Sequence, residues 1–194
     1  MGKFAGFIAG LVWICALATG FGLFAKYETT PGPSSVVPAA WPEGSSVVPV
    51  PGVPNVVMAV HPGCPCTRGS LAALSNILRR TPPGASVRLL ARRAAGSSAG
   101  PVALPGVGVV DDPGGVEAAR FGMLTSGATA AFDAEGRRRF AGGLNATRGG
   151  KDLSEGGLAL LAVLRGVDPT SPSADTFGCP LRSPGDNPTS GRRR

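Results

Sequence analysis

Residues 55–66 read NVVMAVHPGCPC, and this stretch decides the fold. Its continuous apolar run predicts a short strand that is buried on both faces, as in a parallel sheet. From Thr67 onward, apolar residues recur at spacings of three and four, which predicts an amphipathic helix. Cys64 and Cys66 therefore lie at a strand-to-helix junction, where backbone N–H groups and the positive end of the helix dipole favour an ionised sulfur.

On the C-terminal side of this junction, hydrophobic patterns and turn residues predict the remaining strands and helices of one domain. The predicted elements are strands at 86–91, 107–110, 128–132 and 137–141 and helices at 115–121 and 153–164. Their order is β-α-β followed by α-β-β-α. The first half implies a parallel crossover, and the second half implies an antiparallel hairpin capped by a helix. The predicted class is α/β, with a central mixed sheet flanked by helices.

The N-terminus carries an apolar run that predicts one transmembrane helix. Residues 4–25 contain no charged residue, and the run is long enough to cross the hydrocarbon core. The free amine and Lys3 favour a cytoplasmic N-terminus. A cleaved signal peptide is the alternative, since Ala16-Leu17-Ala18 has the form of a cleavage site. The apolar run continues to Ala25, which favours a retained anchor, and either outcome exports the domain.

Composition divides the chain into four predicted parts. They are a membrane anchor at 1–27, a Pro-rich linker at 28–54, a folded domain at 55–168 and a C-terminal tail at 169–194 that carries Cys179. Most of the 19 prolines lie outside the predicted domain, so the linker is expected to be an extended tether. Residues 182–194 are predicted to be disordered.

The net charge of +7 does not by itself indicate a nucleic-acid partner. The basic residues form short runs, and aromatic residues make up 6% of the chain without alternating with them. Such a pattern does not build a base-stacking platform. The runs are more simply interpreted as solvated faces or as weakly attracted to anionic lipid headgroups. We therefore expect no nucleic-acid partner.

Three short motifs, together with the element order, resemble a known superfamily. The motifs are HPGCPCTR at 61–68, FAGGLNATRG at 140–149 and FGCPL at 177–181. With this order they resemble the thioredoxin-like superfamily, and within it the exported RedB-like thioredoxin-domain proteins that have a Cys-Pro-Cys motif. The resemblance covers about residues 53–181. It implies a thioredoxin-like fold, preceded here by the transmembrane helix, and a redox role.

Two features depart from the thioredoxin pattern. Thioredoxins have two residues between their cysteines, whereas Pro65 alone separates Cys64 from Cys66. Thioredoxins also place a cis-proline opposite the cysteines, and Thr125-Ser126-Gly127 fills that place here. The missing proline bears on how a substrate peptide docks. It also removes a group that keeps metals away from the thiols.

Outside the predicted membrane segment there are three cysteines, which is an odd number. Thiols tend to be paired in an oxidising compartment. One pairing is Cys64 with Cys66, which closes a small and strained ring. The other joins Cys179 to Cys64 or Cys66 and folds the tail back onto the site. Both pairings are consistent with the sequence.

His61 is the single histidine and lies three residues before Cys64. As a functional group it would be a base or charge partner that promotes thiolate formation, or a metal ligand. As a structural group it would provide hydrogen bonds at the strand end. We retain it as a candidate site residue because cysteines lie beside it.

The function predicted from these residues is thiol–disulfide exchange through the Cys-x-Cys pair, without a cofactor. One cysteine attacks a substrate disulfide and the other resolves the mixed disulfide. The thioredoxin pattern implies that Cys64 attacks, with Cys179 as a third thiol. One alternative is a Cu(I)- or Zn-handling protein with His61, Cys64, Cys66 and Cys179 as ligands. A non-catalytic binding module stapled by a disulfide is the other.

The predicted location is the bacterial inner (cytoplasmic) membrane, crossed once by residues 4–25. The C-terminal domain then lies on the periplasmic, extracytoplasmic side. The expected partners are protein thiols or disulfides, and an unknown redox partner.

Overall fold

The computed structural model describes residues 2–92, 102–150 and 152–181. Backbone contacts separate residues 1–30 from a second compact unit that begins at Pro31. In the first unit, α1 runs from Gly2 to Thr29. Its segment Phe4–Thr29 has a mean hydropathy of 2.1 and is long and apolar enough to cross a membrane. The side on which the second unit lies stays a prediction.

The second unit is built on a five-stranded mixed sheet. Its strands are β1 (Asn55–Val60), β2 (Ser86–Ala91), β3 (Gly108–Asp111), β4 (Thr129–Phe132) and β5 (Arg138–Gly142). Their spatial order is β3-β2-β1-β4-β5. The three strands β1, β2 and β3 are parallel, whereas β4 is antiparallel to both β1 and β5. Because β1 is central, every one of its residues is buried, as its apolar run predicts.

Helices cover both faces of this sheet. They are α2 (Cys66–Leu78), α3 (Val116–Arg120) and α4 (Glu155–Leu164), and a 3-10 turn over Pro113–Gly115 precedes α3. The alternation of side chains along β1 separates two hydrophobic clusters. Met58 belongs to the cluster that contains residues of α2 and α4. Val57 belongs to the cluster with Phe121, just after α3.

The predicted α/β class is therefore confirmed, and the arrangement is thioredoxin-like. A parallel β-α-β unit is followed by an antiparallel hairpin and a final helix on the α2 side of the sheet. Helix boundaries move by one or two residues from the prediction. The last helix begins at Glu155, because the Ser154 side chain accepts a hydrogen bond from Gly157 N and caps it.

The Pro-rich segment differs from the expected tether, because residues 31–54 lie against the domain. Backbone hydrogen bonds join Arg138 N to the Ala39 carbonyl at 2.8 Å and Trp41 N to the Gly136 carbonyl at 3.0 Å. The Trp41 ring makes edge contacts with Phe121 and Phe132, with 5.0 Å between ring centroids in each case. The segment therefore packs on the β4–β5 hairpin and on Phe121, whereas a free tether was expected.

The C-terminal tail also packs against the domain up to residue 181. Near its start, Ala141 N donates to the Pro172 carbonyl and Ala174 N donates to the Ala141 carbonyl, at 3.0 and 3.1 Å. At its end, Leu181 is 1% exposed and belongs to the same hydrophobic cluster as Phe121. Residues 182–194, which are predicted to be disordered, lie outside the described residues.

Candidate functional site

The first part of the site is the turn between β1 and α2. Cys64 N donates to the His61 carbonyl at 2.9 Å, and Thr67 N donates to the Cys64 carbonyl at 3.1 Å. Pro65 takes the N-cap position and Cys66 is the first residue of α2. Cys64 therefore lies directly in front of the helix, where the dipole and unpaired N–H groups favour negative charge.

The structure brings three of the four predicted site residues together. The Sγ atoms of Cys64 and Cys179 are 2.7 Å apart, although the two residues are 115 positions apart in the chain. With the Sγ atom of Cys66 they form a group in which all sulfurs lie within 4.8 Å of one another. All three are free thiols. Cys64 and Cys66 are 4% and 8% exposed, whereas Cys179 is partly exposed.

Cys179 reaches the site because residues 178–181, here called the tail strand, pair with the loop at 124–127. Ser126 N donates to the Cys179 carbonyl at 2.9 Å, and Leu181 N donates to the Leu124 carbonyl at 2.8 Å. Between these bonds, Thr125 and Pro180 form an antiparallel bridge. The tail strand thus extends the loop as a short antiparallel pair, and this pairing sets the position of the third thiol.

Two further residues hold the tail strand in place. The Arg148 guanidinium donates a hydrogen bond to the Gly178 carbonyl. A Cβ atom on Gly178 would overlap the carbonyl oxygen of Ser126, so the close approach of the two backbones requires glycine. The FGCPL motif was the available sequence signal for Gly178, but its partner on the loop was not foreseen.

The loop at 124–127 is joined to the cysteine turn through Ser126. The Ser126 hydroxyl accepts from His61 N at 3.0 Å. Thr67 Oγ1 donates its single proton to the His61 carbonyl at 2.8 Å, so Ser126 is the donor in its 3.0 Å contact with Thr67 Oγ1. None of the described peptide bonds is cis, including those of Thr125-Ser126-Gly127, the stretch that by resemblance fills the place of the thioredoxin cis-proline. Sequence analysis did not assign Ser126 or Thr67 to the site.

The electrostatics of the site separate Cys64 from Cys179. Burial raises the pKa of the Cys64 thiol. Hydrogen bonds to its sulfur from Cys179 and Cys66, through both side chains and backbone N–H groups, outweigh burial and hold its pKa below the ordinary value. The negative charge of the trio is therefore placed on Cys64, directly in front of α2.

Cys179 is shifted in the opposite direction. Burial, the hydrogen bond to Cys64 and the charge of the neighbouring sulfurs raise the pKa of Cys179 to about 12, although the positive charge of Arg148 opposes this rise. Cys179 therefore stays a thiol at neutral pH and donates its proton to the Cys64 sulfur.

His61 lies apart from the sulfur group. Its side chain is absent from the cluster of ligand atoms within 4.8 Å, among the residues that the structure describes. The imidazole lies against Gly63, where an added Cβ would be 3.1 Å from its Cε1 atom. Partial burial, and then the charge of Arg92, lower the pKa of His61, so the ring is neutral at neutral pH. Its backbone has a defined structural role, while a catalytic role of its side chain stays a prediction.

The donor set partly fits a soft metal ion. Three sulfurs within 4.8 Å are the ligands that Cu(I) or Zn(II) prefers. Two sulfurs bound to one tetrahedral metal at about 2.3 Å each are roughly 3.8 Å apart. Cys64 and Cys179 are 2.7 Å apart, so they would have to separate by about 1 Å to share a metal. The present geometry favours a direct sulfur–sulfur bond.

Sequence comparison identifies no relatives of established function. The sequence matches no protein-family model and no curated protein. Among solved structures, a hypothetical protein from Sinorhizobium meliloti superposes with a TM-score of 0.58 at 17% identity, over 76% of this chain and 96% of that one. An uncharacterized conserved protein from Geobacillus kaustophilus superposes with a TM-score of 0.53 at 17% identity, over 80% and 93%.

A third structure shares less of the chain. It is a secreted Mycobacterium tuberculosis disulfide oxidoreductase described as homologous to E. coli DsbE, with 21% identity and a TM-score of 0.36 over 45% of this chain and 67% of that one. An overlap of this extent carries no inference about activity. The strand order is that of a thioredoxin-like fold, and α2 begins beside the group of three cysteines.

Proposed function

We propose that this protein is a membrane-anchored, extracytoplasmic thiol–disulfide oxidoreductase of the RedB-like kind, whose redox-active disulfide joins Cys64 to Cys179. The observation that carries the proposal is the 2.7 Å separation of these two sulfurs in front of α2. The sequence left both pairings possible but predicted exchange through Cys64 and Cys66, with Cys179 as the third thiol. The sulfur geometry favours Cys64 with Cys179 and makes Cys66 the neighbouring third thiol.

The proposed reaction transfers two electrons between this pair and a protein dithiol. In the oxidising direction, the Cys64–Cys179 disulfide is reduced to two thiols while the partner's two thiols become a disulfide, and the partner's two protons pass to the cysteines. The position of Cys64 in front of α2 suits it to leave as a thiolate in this direction and to attack as a thiolate in the reverse direction. No cofactor is needed for this exchange.

The experiment that tests the proposal is disulfide mapping of the full-length protein, isolated from its own membrane without reductant and alkylated at once. A Cys15→Ser background removes the thiol that lies on α1. We expect a Cys64–Cys179 disulfide that glutathione or dithiothreitol buffers reduce and re-form reversibly. Cys66→Ser is the matched variant and should retain this disulfide. Three permanently free thiols would refute the redox proposal.

The same buffers distinguish a structural staple from a redox pair. Structural disulfides have reduction potentials below about −300 mV and resist the glutathione pool. A Cys64–Cys179 disulfide that never exchanges in folded protein would favour the disulfide-stapled binding module over the oxidoreductase.

A Cu(I)- or Zn-binding role is the second candidate, and it rests on the three sulfurs within 4.8 Å of one another. Reduced full-length protein would be loaded with Cu(I) or Zn(II), passed over a desalting column and assayed for metal. Stoichiometric metal that is lost in Cys66→Ser would support this role, because Cys66 is not needed for the Cys64–Cys179 disulfide. Failure of the reduced protein to retain either metal would exclude it.

The location and partners belong to the same proposal. The apolar segment Phe4–Thr29 would hold the domain at the bacterial inner membrane, on the periplasmic side. An impermeant thiol reagent applied to intact, reductant-treated spheroplasts of the Cys15→Ser variant should label the domain if it lies outside the cytoplasm. Labelling that requires lysis would contradict this orientation.

A further inference from the structure

We infer that a partner thiol enters the proposed redox site at Cys179, so that the mixed disulfide with the partner forms on Cys179 and not on Cys64. This inference rests on the proposed Cys64–Cys179 disulfide and adds which of its two sulfurs is attacked. In the thioredoxin pattern the attacked sulfur is that of the first cysteine, which here is Cys64. The geometry of this site instead makes the Cys179 sulfur the one that is attacked.

Access is the first argument. Cys64 and Cys66 are 4% and 8% exposed, while Cys179 is partly exposed on the tail strand. An attacking thiolate must reach one sulfur of the disulfide, and the rate depends on which of the two is accessible. Cys64 is almost fully buried and Cys179 is not, so Cys179 is the more accessible of the two residues to a partner.

The tail strand also fills the backbone positions beside the thiols. Ser126 N and the Leu124 carbonyl are both hydrogen-bonded to the tail strand, at 2.9 and 2.8 Å. Leu181 is buried in the core, and the Gly178 backbone approaches Ser126 too closely for any Cβ. An external peptide cannot pair with residues 124–126 unless it displaces these contacts. A partner that attacks the exposed side of Cys179 needs no such displacement.

The leaving group gives an independent argument. In the first step, the partner thiolate forms a bond to Cys179 Sγ, the Cys64–Cys179 bond breaks, and the electron pair remains on Cys64 Sγ as a thiolate. A thiolate that the protein stabilises leaves more readily, and Cys64 lies directly in front of α2, where the helix dipole and backbone N–H groups favour negative charge. Cys179 lies on the tail strand, so attack at Cys64 would expel the sulfur that does not belong to the start of the helix.

The second step completes the exchange. A second thiolate of the partner attacks the partner sulfur in the mixed disulfide, and Cys179 leaves and takes up a proton. The partner departs as a disulfide, and Cys64 and Cys179 hold the two electrons it has lost. In the reverse direction, the Cys64 thiolate attacks the Cys179 sulfur of a mixed disulfide, so Cys64 keeps its predicted role as a nucleophile.

The test uses oxidised full-length protein carrying Cys15→Ser and Cys66→Ser, so that Cys64 and Cys179 are the remaining cysteines. N-acetylcysteine is added first, the reaction is quenched after short intervals with excess N-ethylmaleimide, which alkylates each released thiolate, and peptides are mapped by mass spectrometry. We expect N-acetylcysteine on Cys179 and maleimide on Cys64, in about tenfold or greater excess over the opposite pattern. The opposite pattern, or equal amounts of the two, would overturn the inference.

Disulfide mapping of the oxidised protein before N-acetylcysteine is added distinguishes a failure of this inference from a failure of the proposed function. If no Cys64–Cys179 disulfide is present at that stage, the proposed function fails and the inference fails with it. If the disulfide is present and adducts form on Cys64, the proposed function stands and the inference alone is wrong. The Cys66-containing protein, run in parallel, should yield its first adduct on the same residue.

Discussion

The Pro-rich segment at 31–54 and the tail at 169–181 both pack against the domain, but they contribute differently. The first is held by the Trp41 ring against Phe121 and Phe132 and by backbone bonds to the β4–β5 hairpin. The second ends in the tail strand, which carries Cys179 to 2.7 Å from Cys64. The Pro-rich segment thus contributes to stability, whereas the tail positions a reactive thiol.

The two segments also meet each other. Gly32 N donates to the Thr176 carbonyl at 2.8 Å, and Thr125 Oγ1 donates to the Pro33 carbonyl at 2.7 Å. The start of the Pro-rich segment therefore supports the loop on which the tail strand lies. Substitutions near Trp41 should therefore lower the stability of the protein with little effect on thiol exchange. Substitutions in the tail strand should change both.

The largest effect is expected from Cys179→Ser. It removes the disulfide that closes a loop across 115 positions, so the oxidised protein should lose about 4–5 kcal/mol of unfolding free energy, by loop-closure entropy. Thiol exchange should be lost as well. Denaturant unfolding of oxidised proteins measures the first effect, and Cys66→Ser is the control that should keep the stability. Equal stability of the two variants would contradict the proposed pairing.

Leu181→Ala should have the second-largest effect on stability. The side chain is 1% exposed, and a Leu-to-Ala change at a buried site removes about 2–5 kcal/mol. Since Leu181 lies two residues from Cys179, the tail strand should also detach more readily, and alkylation of Cys179 in reduced protein should become faster. Val167→Ala, at an exposed position, is the matched control. Lower stability without faster alkylation would show that Leu181 does not hold Cys179 in position.

Trp41→Ala should destabilise the protein less and leave the thiols unchanged. Trp41 is half-buried, so we expect about 2–3 kcal/mol, below the range for fully buried aromatic residues. Exchange at Cys64 and Cys179, measured per folded molecule, should match the wild type. Val36→Ala, at a side chain that is 91% exposed, provides a control within the same segment. A loss of exchange in folded Trp41→Ala protein would show that the Pro-rich segment also affects the thiols.

The smallest signal is the titration of the reduced thiols. The Cys64 thiolate should form below the ordinary pKa of a cysteine, whereas Cys179 should remain protonated until pH approaches 12. Because the folded-state pKa of Cys179 is raised, its contribution to the stability of the reduced protein is full at neutral pH and is lost as the pH rises toward 12. Thiolate absorbance near 240 nm follows the ionisation.

Cys64→Ser is the variant that assigns this titration. It should remove the early absorbance step, while Cys66→Ser should leave an early step in place. Survival of the early step in Cys64→Ser would assign the negative charge to another sulfur.

Much of the domain could be predicted because its elements follow from local patterns. The run at 56–60 is short, rich in valine and apolar at every position, which predicts a strand buried on both faces, and it is the centre of the sheet. The strand at Ser86–Ala91 is found as predicted. Helix ends were less predictable, since the start of α4 depends on the cap provided by Ser154.

The site was predicted in its residue types but not in its connections. Cys64 and Cys66 could be recognised because one residue separates them at a helix start. The resemblance placed Thr125-Ser126-Gly127 opposite the cysteines, but it did not predict the hydrogen bonds of the Ser126 and Thr67 hydroxyls. Those bonds join His61 across 65 and 6 positions, and hydroxyl side chains carry no distinctive pattern. The role of His61 was left open, and the structure places its ring outside the sulfur group.

The sequence by itself determined the elements of the sheet, the apolar N-terminal helix and the pair of thiols at the start of α2, because these depend on periodicity, length and spacing within a few residues. Tertiary structure decided where the extended segments lie and which thiol faces Cys64. The pairing of the tail strand with residues 124–126 depends on long-range backbone contacts, on a close approach at Gly178 and on burial of Leu181. Such contacts are set by the shape of the folded domain and leave no periodic pattern in the chain.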